Sequence, residues 1–324
     1  MLEISRLSKQ FGALVAVDDV SFTVPAGEVL GFLGPNGAGK STTMKMISGF
    51  LAPTSGTAVI CGHDILREPL RAKRRIGYLP EGAPAYPDMS AAEFLDFIAH
   101  IRGFRGAEAR RRITHIAELI NIADVMDQPI ETLSKGYRRR VGVAQALLHD
   151  PAVVILDEPT DGLDPNQKHE MRGIIQRMSP DKAIIISTHL LEEVEAVCSR
   201  AIIIAEGRIL ADGTPMELAA RSRHHNAVRV SLPAAGTQPT IAAELAALPG
   251  VASIERASDG EGDGLWLFAR DRRPIVAEVA DLIRARGWTV TGIRAERGRL
   301  DDVFRTITMP PPATPPDPAR EPQC

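Results

Sequence analysis

Gly34-Pro35-Asn36-Gly37-Ala38-Gly39-Lys40-Ser41 is the stretch whose reading decides the fold. Its spacing is G-x-x-x-x-G-K-[ST], in which glycines leave backbone N–H groups free to face a polyphosphate. Val29-Leu30-Gly31-Phe32-Leu33 before it reads as a short buried strand, and Ser41 to Ile47 after it as an opening helix. That helix start, with Thr42 in its first turn, adds unpaired N–H groups and the positive end of a dipole. Lys40 supplies a point charge to terminal phosphates, and Ser41 offers a hydroxyl to Mg²⁺. Strand, loop and helix in this order predict an α/β domain built on a phosphate loop.

Upstream, Leu2 to Ile4 and Val20 to Val24 read as short strands, with a bend at Lys9-Gln10-Phe11-Gly12. Phe11 is a candidate for stacking on a base, or else packs under the turn. Downstream, Ile76 to Leu79 reads as a strand ending at Pro80-Glu81. Ser90 with Glu93 forms a capping-box pattern ahead of Phe94, Leu95, Phe97 and Ile98. A second helix is expected over 107–120, so that about 82–130 forms a helical insertion between strands. A further helix follows Leu133-Ser134-Lys135-Gly136-Tyr137 and runs to about Leu148.

Val153-Val154-Ile155-Leu156 then ends in Asp157-Glu158, the form of a buried parallel strand carrying carboxylates to the edge where open α/β sheets bind ligands. Asp157 suits a direct or water-bridged Mg²⁺ contact and Glu158 a general base; a helix cap is the plainer alternative. Another apolar strand, Ala183 to Ile186, leads to His189, which can polarise a phosphate or serve a structural role.

Composition sets the outer limits. Over 324 residues, 44% are hydrophobic, 24% are charged and the net charge is −3, values of a globular protein with no bulk attraction to nucleic acid. Cys61, Cys198 and Cys324 are scattered, which points to a reducing compartment and no cysteine metal site. The opening residues lack the apolar core of a signal peptide, and the apolar runs are far shorter than a membrane span.

After Gly213-Thr214-Pro215 the character of the chain changes. The expected order beyond is a strand (228–232), helix (241–248), strand (251–256), Gly/Asp-rich turn, strand (265–269), helix (275–286) and strand (288–295). That β-α-β-β-α-β order predicts a small α+β ferredoxin-like domain over 221–308, closed by a short helix from Leu300. Residues 309–324 are Pro-rich and are expected to form an extended tail.

The phosphate loop, Leu133 to Tyr137, the acidic strand end, Gly162-Leu163-Asp164-Pro165 and His189 stand in the order of the ATP-binding cassette ATPases, and residues 1–220 resemble that family. The resemblance implies an ATPase subunit that dimerises head to tail, as a homodimer or pseudo-homodimer, with two Mg·ATP at the interface. The signature of one subunit, Ser134 to Tyr137, would meet the γ-phosphate held by the other. Asp164 would lie on the dimer-contact loop, His189 would hold the γ-phosphate, and Phe11 would stack on adenine. Lys135 and Tyr137 stand where the family commonly has Gly and Gln, and Glu81 where it commonly has Gln. These departures resemble the ABC-2 exporter subgroup, including the gliding-associated and multidrug types, and Glu81 becomes a candidate metal ligand. The resemblance further implies a separate transmembrane permease and peripheral attachment to the cytoplasmic face of the inner membrane. A soluble cassette ATPase acting on ribosomes or nucleic acid is the alternative. One phosphate loop and the lack of heptads weigh against it, and no nucleic-acid partner is expected. A module that senses ATP without hydrolysing it is opposed by the presence of Glu158 and His189.

Overall fold

The computed structural model describes residues 1–233, 239–257 and 263–308. It divides into two compact units, Met1–Pro215 and Met216–Cys324.

In the first unit the chain runs β1 (Leu2–Phe11), β2 (Leu14–Val24), β3 (Val29–Leu33), α1 (Lys40–Ile47), β4 (Ser55–Ile60), β5 (His63–Asp64), α2 (Pro69–Lys73) and β6 (Ile76–Leu79). It continues through α3 (Ala91–Ile101), α4 (Gly106–Ile120), α5 (Lys135–Leu147), β7 (Val153–Asp157), α6 (Pro165–Met178), β8 (Ala183–Thr188), α7 (Leu191–Val197), β9 (Arg200–Ala205) and β10 (Arg208–Gly213). α8 (Pro215–Ala219) opens at the boundary.

The central sheet has the order β10-β9-β3-β8-β7-β6. It is parallel from β9 to β6, with β10 antiparallel at one edge. Every residue of β3, β7 and β8 is buried, which is why these strands read as unbroken apolar runs rather than alternating ones. The adjacent strands β3, β8, β7 and β6 end beside the phosphate loop, His189, Asp157-Glu158 and Glu81 respectively. One sheet edge thus gathers groups from four separate parts of the sequence.

A second sheet, β2-β1-β4-β5, is antiparallel. Its first two strands run well beyond the short ones expected from the sequence. Register shifts between Ile4 and Leu7, Leu7 and Lys9, and Lys9 and Gln10 break the alternation by which a strand is recognised. Leu2, Leu7 and Phe22 of this sheet share a core with Phe32, Met44, Ile47 and Ile155, so α1 is held between the two sheets.

The insertion carries α3 and α4, which pack on α5. α3 begins at the expected capping box: Ser90 Oγ accepts from the Glu93 N–H at 3.2 Å, and the Ser90 N–H donates to Glu93 Oε2 at 2.8 Å. Phe94 and Leu95 are buried, whereas Phe97 and Ile101 of the same helix are 37% and 64% exposed. Beyond α5, His149 Nε2 donates to the Ile76 carbonyl at 2.9 Å, tying the helix end to β6. Burial pushes its pKa down to about 4, so the ring is neutral at physiological pH.

The second unit contains β11 (Val228–Ser231), α9 (Pro239–Ala246), β12 (Val251–Arg256), β13 (Gly264–Ala269), α10 (Val276–Arg286), β14 (Gly292–Ala295) and α11 (Leu300–Thr308). Its sheet is antiparallel, with the order β12-β13-β11-β14. Leu265 and Leu267 join Leu245, Val279 and Ile283 in one core. Trp266 and Phe268 alternate to the other face, where the His224 ring meets both edge-on, at 5.5 and 5.2 Å. The last strand is shorter than expected: only residues 292–295 pair with β11, and Trp288 precedes the ladder. Residues 258–262 of the expected Gly/Asp-rich turn, and the Pro-rich segment 309–324, lie outside the described residues.

Candidate functional site

The phosphate loop takes its form from close approach. A Cβ on Gly34 would lie 2.4 Å from the Ile204 carbonyl oxygen. At Gly39, where φ is +101°, a Cβ would lie 2.5 Å from the Ala16 carbonyl. Gly39 is therefore confined to glycine by conformation as well as space, and it delivers the chain into α1. Lys40 opens that helix but folds back, its Nζ donating to the carbonyls of Gly34 at 2.8 Å and Pro35 at 3.2 Å. The side chain is buried, and Nζ also lies 3.8 Å from Glu158 Oε1. Burial pushes the Lys40 pKa down, opposed by the carboxylates of Glu158, Asp157 and Glu81.

Asp157 is fully buried at the end of β7. Its Oδ1 accepts from Ser187 Oγ at 2.6 Å and from Ser41 Oγ at 3.3 Å. Its Oδ2 is buried with no hydrogen-bond partner among the described residues. An orphaned carboxylate oxygen beside a hydroxyl is a donor set that suits a hard divalent cation, so these two residues fit Mg²⁺.

Glu158 follows in the left-handed region, at φ +52°. Its N–H donates to the Ser187 carbonyl at 2.9 Å, which fixes this turn against β8. His189 Nδ1 contacts both carboxylate oxygens, at 3.1 and 3.0 Å. The imidazole thereby orients the carboxylate, and Nε2 is left for another partner. A carboxylate held this way, 8% exposed at a cavity wall, can accept a proton from a water molecule.

One cavity of about 550 Å³ brings together Phe11, Asn36, Gly37, Gly39, Lys40, Ser41, Thr42, Glu81, Glu158 and His189. Phe11 is 48% exposed at its mouth, with Lys9 Nζ 5.1 Å from the ring centroid. Residues 134–137 do not line this cavity. Ser134 instead caps α5, accepting from the Tyr137 N–H at 3.3 Å. Lys135 Nζ lies 3.5 Å from Asp161, and the Tyr137 hydroxyl donates to Asp124 at 2.7 Å, with Arg140 over its ring. Tyr137 thus anchors the signature to the residues that follow α4. A Cβ on Gly136 would meet the Gln167 side-chain amide at 2.5 Å, so that flexible side chain would have to move aside. Asp164 is the N-cap of α6, accepting from the N–H groups of Asn166 and Gln167, both at 3.0 Å.

Sequence reasoning gave no role to Ser187, Asp161 or Arg139. Ser187 had a usable signal: it follows the apolar run of β8 as Asp157 follows that of β7, and the two are paired in register.

A second cavity, about 960 Å³, is a largely apolar groove whose lining includes Phe50, Tyr86, Phe94, Phe97 and Ile101 and also Glu81. Phe50 is 79% and Tyr86 52% exposed. Among the described residues no helix is long and apolar enough to cross a membrane.

Residues 17–161 match the family model described as ABC transporter. The chain is 34% identical over 312 residues to Nod factor export ATP-binding protein I of Ralstonia nicotianae, covering 95% of this chain and 94% of that protein. It is 37% identical over 222 residues to the linearmycin resistance ATP-binding protein LnrL of Bacillus subtilis, covering 68% and 71%. Among solved structures, an ATP-binding subunit of an ABC transporter superposes with a TM-score of 0.62 at 32% identity, covering 67% of this chain and 91% of that one.

Proposed function

Because this chain belongs to the ABC transporter family, as an ATP-binding and ATP-hydrolysing subunit, we propose that it drives an export-type, ABC-2 permease made of separate transmembrane subunits. The observation that carries this reading is the pairing of a complete phosphate site with an apolar groove, which share Glu81. Export as the direction rests on the likeness to the Nod factor export and linearmycin resistance proteins.

In this reading Lys40 and the loop N–H groups hold the β- and γ-phosphates, and Phe11 stacks on adenine. Ser41 and Asp157 hold Mg²⁺, with Glu81 as a further oxygen ligand. Bound there, the ion neutralises phosphate charge and screens the neighbouring carboxylates. Glu158 takes the proton of the attacking water, and His189 positions that carboxylate through Nδ1 while its Nε2 faces the γ-phosphate. Residues 134–137 do not line the phosphate cavity of their own chain, which supports their use in trans, by a second subunit in a head-to-tail dimer with Asp164 at the contact. The groove, with Phe97 and Ile101 exposed on α3, takes an apolar segment of the permease, which would hold the subunit at the cytoplasmic face of the membrane.

Co-expression with its permease in membrane vesicles tests the reading. Ile101→Asp is expected to lose permease-stimulated ATP turnover about tenfold while turnover without permease stays at the parent level, because one buried charge in an apolar contact outweighs its gain. Stimulation unchanged by Ile101→Asp and by a second charge at Phe97 would place the permease elsewhere.

We further propose that the chain divides near residue 220, with a ferredoxin-like accessory domain over 221–308. The β-α-β-β-α-β order and the antiparallel sheet support that assignment. A protein ending at Ser222 is expected to unfold in one cooperative transition and to bind ATP within about threefold of the full chain, since the entire nucleotide cavity lies upstream. Calorimetry showing no transition would mean that the two parts depend on one core.

A further inference from the structure

Glu81 lines a third cavity in addition to the two above, about 480 Å³ in volume, together with Lys135, Arg138, Arg139 and Asp161. Arg139 comes from α5 and is 3% exposed. Its Nη1 is buried without a hydrogen-bond partner, and the guanidinium makes no ion pair among the described residues. A buried cation left in that condition is costly, and it favours any arrangement that brings it a carboxylate.

Four carboxylates act on Arg139 electrostatically: Asp161, Glu158, Glu81 and Asp157. Three of them are already engaged. Asp161 has Lys135, Glu158 has His189 and Lys40, and Asp157 has Ser187 and Ser41. Glu81 makes no hydrogen bond or ion pair among the described residues. The unpartnered Glu81 carboxylate, which is exposed, and the buried unpartnered Arg139 guanidinium therefore face one cavity, which the solvent-exposed Arg138 also lines.

The backbone links them as well. Gly142, one turn beyond Arg139 on α5, lies so close to the Glu81 loop that a Cβ there would be 2.7 Å from Leu79 Cδ1 and 2.9 Å from the Ala83 Cβ. Leu79 and Ala83 bracket Glu81. Gly82 and Ala83 both stand in the left-handed region, at φ +80° and +47°, so Glu81 is carried on a tight turn seated against the helix that bears Arg139.

We propose that Arg139 is a positioning residue that receives the Glu81 carboxylate in an ion pair whenever that carboxylate is withdrawn from the phosphates. The proposal rests on the nucleotide-site reading above. With Arg139 present, Glu81 has somewhere to go when no cation accompanies the nucleotide. Without it, Glu81 stays toward the phosphates and repels them.

The test is equilibrium binding of ATP to the full-length protein in chelator, for the parent, Arg139→Gln, Glu81→Gln and the double variant. Arg139→Gln is expected to weaken metal-free ATP binding about fivefold in the parent and less than about twofold in the Glu81→Gln background, since no carboxylate is then left to restrain. Arg139→Lys is expected to recover most of the loss, because it keeps the charge. A merely structural role for Arg139 would weaken binding equally in both backgrounds, and that result overturns the proposal. Should Arg139→Gln fail to give a folded protein in thermal unfolding, Arg139→Met fills the buried stem without a polar head and carries the same expectation. Lys40→Ala separates the two levels of the argument. If it lowers ATP affinity while Arg139 and Glu81 act additively, only this inference falls. If it leaves ATP affinity unchanged, the nucleotide-site reading falls too.

Discussion

Glu158→Gln is expected to bind ATP at close to the parent affinity and to hydrolyse it about 100- to 10,000-fold more slowly. The substitution keeps side-chain length and leaves the backbone at φ +52°, so the turn held by the Ser187 carbonyl has no reason to move. What changes is chemistry: an amide cannot take a proton from water. The amide also offers His189 Nδ1 a neutral partner in place of a carboxylate, which weakens the contact that fixes the imidazole. Because ATP then persists at the site, the variant is expected to dimerise in Mg·ATP, which light scattering reads directly. Turnover at the parent rate, with the protein still monomeric, would place the base at another residue.

Lys40→Ala should act earlier, on binding itself. Charge-assisted hydrogen bonds contribute enough that losing this ammonium is expected to weaken Mg·ATP binding by about 100-fold or more. The same ammonium satisfies the Gly34 and Pro35 carbonyls and sits 3.8 Å from Glu158. Removing it also leaves Asp157 and Glu158 as neighbouring buried anions, so the comparison needs Lys40→Arg alongside, to separate lost charge from lost fold. A calorimetric titration in which Lys40→Ala binds Mg·ATP as the parent does would end the assignment of this loop.

The parts of the site legible in the sequence were those where local geometry restricts residue choice. Gly34 and Gly39 are fixed by carbonyl oxygens within 2.5 Å of where a Cβ would go, so the loop announces itself by its glycines. β3, β7 and β8 are buried on both faces and read as apolar runs. Ser90 and Glu93 satisfy each other within one helical turn. Information was lost where the deciding contact joins distant segments. The Ser187 to Asp157 bond depends on two strands being neighbours in the sheet, which neither strand states alone. Arg139 stands within Arg138-Arg139-Arg140, a run that by charge belongs on a solvated face, yet the packing of α5 buries it. The bulges of β1 and the late start of β14 hide or shorten strands, because pairing follows hydrogen-bond register and not the apolar pattern alone.

Glu81 is a wall of the phosphate cavity, of the apolar groove and of the Arg139 cavity at once. With the role proposed for Glu81, a molecule that fills the groove and shifts this carboxylate is expected to alter the free energy of nucleotide binding. Thermodynamic linkage makes the traffic symmetrical: the factor by which a docked partner changes ATP affinity is the factor by which ATP changes the affinity for that partner. In that role a single side chain at a three-way junction would set sender and receiver on equal terms, and affinity measured from either side would read the same coupling.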